Sequence, residues 1–319
     1  MNPLRLALFS SLILLASPLS TRACDLCSAF AATEAEGLSS SGWNLSLATQ
    51  FTHFATLRLD GDKVPNDFAQ HLDSTITQLV ISRAFTSRFA AQLNVPFIVR
   101  TFRRPEGFAL DEGRESGFGD VSLLGRMLVL RRDTADATVV WSALAGVKFP
   151  TGNTRRIAEE LSETDESGAS ESGIHGHDLT LGTGSTDAIV GTNFYFRHAR
   201  FFATGSVQYT LRSRGDYDYR FANDLAWELA PGAYLALEHT RTFGLQAVLS
   251  GEHKGTDTFQ GSSADDTGIT SIYVGPRLTY TQTTRLSAAL GADFPIRMDN
   301  TALQLTPDYR LRVNFTWNF

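Results

Sequence analysis

Two short spacings in this 319-residue sequence are built for ligand chemistry. Cys24-Asp-Leu-Cys27 sets its only two thiols three positions apart. In an oxidising compartment such a pair closes a local disulfide. With the free amine of a processed Cys24 it is also a soft-metal site, suited to copper or zinc. Lipidation of Cys24 is a third use. His175-Gly-His177 lies in the acidic stretch 150–185, which also holds Glu159, Glu160, Glu163, Asp165, Glu166, Glu171 and Asp178. Carboxylates suit hard cations, and a His-x-His pair suits copper, zinc or nickel. The ligand spacing is irregular, and a stretch so rich in Ser, Gly and Glu is expected to be a solvated, flexible loop.

Catalytic patterns are missing. The histidines are His53, His71, His175, His177, His198, His239 and His253, and none sits in a His-Glu-x-x-His pattern. No Gly-x-Ser-x-Gly elbow occurs either. The reading is therefore not an enzyme, with a barrel lipid hydrolase as the enzymatic alternative.

The elements that must position these residues follow from hydropathy. Hydrophobic residues make up 42% and charged residues 19%, with 22 Phe. Mean hydropathy is −0.11. Beyond the first 20 residues no apolar run approaches the ~18 that a membrane helix needs. The formal charge of −6 leaves no electrostatic footprint for nucleic acid. Residues 1–23 read as a secretory signal, with Arg5, the apolar run Leu6–Leu15 and small residues at Thr21 and Ala23 before the cut.

From residue 42 onward the chain alternates. Tyr309, Leu311, Val313, Phe315, Trp317 and Phe319 share one parity; Arg310, Arg312, Asn314, Thr316 and Asn318 share the other. That is period-2 strand patterning. Twelve strands are expected, near 42–56, 72–84, 88–102, 117–131, 137–149, 186–197, 200–212, 219–237, 242–253, 268–281, 285–295 and 308–319. Most are longer than the ~5–6 residues usual in soluble strands. Short turns alternate with longer polar loops at 57–71, 103–116, 150–185, 213–218, 254–267 and 296–307. This is the topology of a transmembrane barrel, with apolar residues toward lipid and polar residues toward the lumen. Trp43, Phe102, Phe149, Tyr280 and Trp317 fall near strand ends, where aromatic girdles belong. Strand 2 fits neither face cleanly. A large soluble β-sandwich is the competing fold.

Three glycine-bearing segments carry a family resemblance: Gly117-Phe-Gly-Asp-Val-Ser-Leu-Leu-Gly-Arg126, Gly146-Val-Lys-Phe-Pro-Thr-Gly152 and Leu181-Gly-Thr-Gly-Ser-Thr-Asp187. Together they resemble the meta-pathway phenol-degradation family of outer-membrane proteins. The resemblance covers roughly 42–319 and implies a barrel that passes hydrophobic or aromatic compounds. Glycines inside strands mark bends, bulges or close approach rather than ligand contact.

The expected architecture is all-β: a monomeric, antiparallel outer-membrane barrel of about twelve strands over 42–319. It is preceded by a periplasmic segment, 24–41, long enough to enter the lumen as a plug. By parity Arg100, Asp120, Arg126, Lys148, Asp187, Arg220, Asp224, Glu228, Arg277, Asp293, Arg310 and Arg312 face the lumen. They form either a solute path or an ion-pair network that fills the interior. Twelve strands lie between filled and open barrels, so a narrow or obstructed pore is expected. The expected partners are outer-membrane lipid, a small-molecule solute and the barrel-assembly machinery. No resident cofactor is expected beyond copper or zinc at Cys24 and Cys27. The alternative function is metal capture by that pair with His175 and His177.

Overall fold

The computed structural model describes residues 42–161, 171–283 and 285–319. The secretory signal, the 24–41 segment with Cys24 and Cys27, and Glu163, Asp165 and Glu166 lie outside the described residues.

Twelve long strands form the wall: β1 Gly42–Leu59, β2 His71–Ala84, β3 Phe89–Glu106, β4 Ser122–Asp133, β5 Ala137–Lys148 and β6 Asp187–His198; then β7 Phe201–Leu211, β8 Asp224–Leu237, β9 Arg241–Lys254, β10 Ile269–Gln282, β11 Leu286–Asn300 and β12 Leu303–Asn318. Each pairs antiparallel with the next, and β12 returns to β1 in a register from Asn44↔Asn318 to Leu59↔Leu303. Closure through β12 and β1 leaves neither terminal strand of the wall with an unpaired edge, which hydrocarbon does not tolerate.

The two faces separate as their chemistry requires. On β12, Leu311, Val313, Phe315 and Trp317 are exposed outward, while Arg310, Asn314 and Thr316 are buried inward. Exposed apolar side chains recur all round the wall, among them Leu47, Phe97, Trp141, Phe194, Leu229 and Leu245. A soluble protein does not carry a continuous apolar belt of this kind. In a membrane it is the lipid-facing surface.

Several expected boundaries move. The segment 103–116 is a hairpin: β3 runs on to Glu106, and a further strand, Ala109–Phe118, pairs back on it. The wall thus splits beside β3, which meets β4 over Phe89–Asn94 and the hairpin strand over Phe97–Glu106. Gly119, Asp120 and Val121 lie at the split. The last outer connection is only Thr301 and Ala302, because the polar stretches beside it are strand. Barrel strands here continue past the bilayer, where an outward Arg297 or Asp299 meets water. Tyr219 and Arg220 are not the start of β8 either. They belong to a small three-stranded sheet over the mouth, with Asp257–Phe259 and Ser262–Ala264. Arg220 is exposed there rather than facing the lumen.

Candidate functional site

The stretch 150–185 is not the solvated loop its composition suggests. Residues 171–185 enter the lumen from the long-loop end and close it. Ile174 and Leu179 are buried among inward-facing Phe54, Leu57, Leu72, Phe102 and Leu305. Leu181 packs on Ile76 and Ile98. Each such burial contributes about 1.5–3 kcal/mol. Phe102 is therefore a core residue and not part of a girdle. The ambiguity of β2 has the same cause, since Leu72 and Ile76 face inward yet touch this apolar plug.

Polar groups fix the plug at four places. The Leu305 backbone N–H donates to the Gly173 carbonyl at 2.8 Å, and the Gly173 N–H donates to Gln70 Oε1 at 2.9 Å. Arg100 donates to the carbonyls of Asp178 and Thr180 at 2.5 and 2.6 Å. At the far end the Thr183 N–H donates to Asp120 Oδ2 at 2.9 Å. The short 3-10 turn Arg155–Leu161 is tied to the wall by Arg104–Glu159 at 3.0 Å and Arg156–Glu115 at 2.7 Å.

Below the plug the three glycine-bearing segments meet. Lys148 Nζ lies 2.6 Å from Asp120 and 2.9 Å from Asp187, and it also donates to Thr183 Oγ1. Arg212 continues the chain, 2.9 Å from Asp187 and 2.7 Å from Asp224. The glycines allow the crossing that builds it. A Cβ on Gly182 would sit 2.7 Å from Gly152 backbone atoms, so only two glycines let these strands of loop pass. Arg212 stands on the inward parity of β7 but lies outside any distinctive motif. Only its alternation with Gln208 and Thr210 reveals it.

A second network crosses the opposite side. Glu228 on β8 takes a two-pronged pair from Arg277 at 2.8 and 2.7 Å and a third bond from Arg312 at 3.0 Å. Arg312 also reaches Asp293 at 2.9 Å. Arg310 pairs with Glu252 through two bonds, 2.6 and 2.9 Å, and its guanidinium lies 4.0 Å from the Tyr273 ring centroid. Arg126 faces inward on β4 and makes no ion pair among the described residues. Thus most of the lumen charges are compensated, as burial in a low dielectric demands.

His175 and His177 lie at the outer end of the plug. Their rings stack with centroids 5.6 Å apart and planes 4° apart. His177 is buried against Tyr219, and His175 Nε2 lies 3.4 Å from Asp266. Among the described residues no three His, Cys, Asp or Glu side chains converge to hold a metal ion.

Among the described residues, two cavities touch the plug. One, of about 70 Å³, joins Ile76, Ile98, Leu181 and Ile189 to the Asp120–Lys148–Arg212 chain. The other, of about 40 Å³, is lined by Phe54, Leu72, Ile174 and Leu305 and by Ser74, Arg100, Glu252 and Arg310. Both pair an apolar wall with polar groups.

No family profile matches the sequence, and no curated protein matches it. Solved structures do. The crystal structure of an outer-membrane channel from Pseudomonas putida F1 aligns over 90% of this chain and 98% of that one, at 14% identity and a TM-score of 0.61. The fold is that of a bacterial outer-membrane barrel. The β domain of a Bordetella autotransporter aligns less closely, over 88% and 100% of the two chains, at 10% identity and a TM-score of 0.47. The barrel's place is the bacterial outer membrane.

Proposed function

We propose that the barrel admits small solutes across the outer membrane, with hydrophobic or aromatic compounds favoured. The observation that carries this is the pair of cavities beside the plug. An ion-pair network alone would fill the lumen; here apolar side chains instead line open space next to hydrogen-bonding groups. Such mixed lining is the usual character of small-molecule sites. The resemblance to the phenol-degradation family supports that substrate class, and the fold shared with a Pseudomonas putida outer-membrane channel supports passage of solutes. Passage requires residues 171–185 to shift, since they occupy the mouth. The test is uptake of a small aromatic alcohol into liposomes holding the full mature chain or a variant with 172–184 replaced by a short Gly-Ser linker. Uptake above that of protein-free liposomes, faster in the linker variant, is expected. No uptake with either protein would overturn the channel reading.

A further inference from the structure

One row of inward side chains has a gap in its hydrogen bonding. Register places Arg100 opposite Ser74, Ser74 opposite Thr52, Thr52 opposite Arg310 and Arg310 opposite Asp293, so five adjacent strands carry one polar line. Ser74 is 1% exposed and lines the 40 Å³ cavity. Its hydroxyl has no hydrogen-bond partner among the described residues. A buried hydroxyl left unpaired costs free energy, and natural proteins seldom keep one without a use. Above it lie apolar plug and wall residues, Ile174, Leu72, Phe54 and Leu305.

The charges around the cavity cancel. Arg310 is matched by Glu252, and Arg100 and Asp178 supply one charge of each sign. An ion entering would meet no net attraction and would lose its hydration. An uncharged ligand with one hydroxyl or carbonyl oxygen meets both needs: the oxygen pairs with Ser74, and the hydrocarbon covers the apolar wall.

We propose that this cavity is a binding site for neutral, singly oxygenated hydrocarbons, read through the Ser74 hydroxyl. The proposal rests on the channel reading above and names the step at which it selects. The site excludes pure hydrocarbons only weakly, by about one neutral hydrogen bond, or roughly fivefold in affinity. Ions are excluded more strongly, because nothing in the lining offsets their dehydration.

The test uses the full mature chain in nanodiscs, with benzyl alcohol and toluene as probes. Saturation-transfer NMR against empty nanodiscs gives affinities corrected for partition into lipid. The wild type is expected to bind benzyl alcohol about fivefold more tightly than toluene. Ser74→Ala should bring that ratio close to one and leave toluene binding unchanged. Ser46→Ala is the control, because Ser46 already pairs with Thr316 at 2.7 Å; it should keep the wild-type ratio. A ratio near one in the wild type, or one that survives Ser74→Ala, overturns the site. Liposome uptake separates the two readings. Hydroxyl-dependent binding without benzyl alcohol uptake removes the channel and keeps the site; uptake with no hydroxyl preference does the reverse.

Discussion

Arg100 on β3 holds the carbonyl of Thr180 at 2.6 Å, 80 residues further along the chain, inside the barrel it helps to enclose. The same guanidinium nitrogen holds the Asp178 carbonyl. One buried arginine thus fixes the middle of the plug and forms part of the wall of the second cavity. Hydrogen bonds from a charged donor contribute about 1.5–3 kcal/mol each. Arg100→Met keeps an unbranched apolar stem and removes both bonds. The population with 171–185 undocked should then rise at least about tenfold, the equivalent of 1.4 kcal/mol. Limited proteolysis within 171–185 measures this. An unchanged cleavage rate would show that apolar contacts alone hold the plug.

Asp187 sits between Lys148 and Arg212 with its side chain fully buried. Asp187→Ala removes the buried carboxylate that bridges Lys148 and Arg212, leaving each cation its one other acid, Asp120 and Asp224. Loss of its two buried bonds to charged groups should cost about 3 kcal/mol. Arg131 and Asp133 form a pair of similar length, 2.7 Å, but both are nearly half exposed. Asp133→Ala should cost about 1 kcal/mol or less. Urea unfolding of the two variants in lipid vesicles gives the comparison. Equal losses would mean that water reaches the Lys148 cluster freely.

Much of the wall was legible in the sequence because every strand repeats one rule. All twelve strands lie near their expected places, and the inward charges of β12 follow from parity alone. What parity could not supply was the content of the lumen. Leu72 and Ile76 break the rule on β2 since they meet a plug 100 residues away in sequence, not solvent. Phe102 looked like a girdle residue for the same reason. The polar composition of 150–185 hid Ile174, Leu179 and Leu181, three apolar side chains that a solvated loop has no reason to carry. Those three, set beside the misfit on β2, were the available signal. Arg212 had only its inward parity with Gln208 and Thr210, and nothing in the sequence set Ser74 apart from the other inward polar residues.

The Asp178 carboxyl gives the plug a definite acid response. Burial alone would raise its pKa, but His177, the His175 N–H, the His175 ring and Lys254 together hold it below the ordinary carboxylate value. A carboxyl lowered on folding stabilises the docked state fully above its unfolded value, about 3.9, and that stabilisation is lost as pH falls through the lowered one. The part of docking that rests on the Asp178 carboxylate should therefore hold above about pH 4 and be lost below it. Single-channel conductance between pH 7 and 3 reads the change. Loosening already near pH 6 would assign control to His175 and His177 instead.

The membrane assignment rests on which face of β12 meets lipid, and one residue decides it. Val313 points outward and is half exposed, between inward-facing Arg312 and Asn314. It lies opposite Thr49 on β1 and Leu290 on β11, well inside the apolar belt. In a soluble sandwich an exposed valine is replaced by arginine at almost no cost. In a bilayer the guanidinium must enter hydrocarbon or drag water with it, at about 2–4 kcal/mol near the midplane. Val313→Arg should thus lower the urea midpoint in vesicles, whereas Arg312, one residue away, is held in place by Glu228 and Asp293. The same substitution in detergent micelles, which deform around a charge, should cost less. A Val313→Arg variant as stable in vesicles as the parent would reverse the assignment of the two faces.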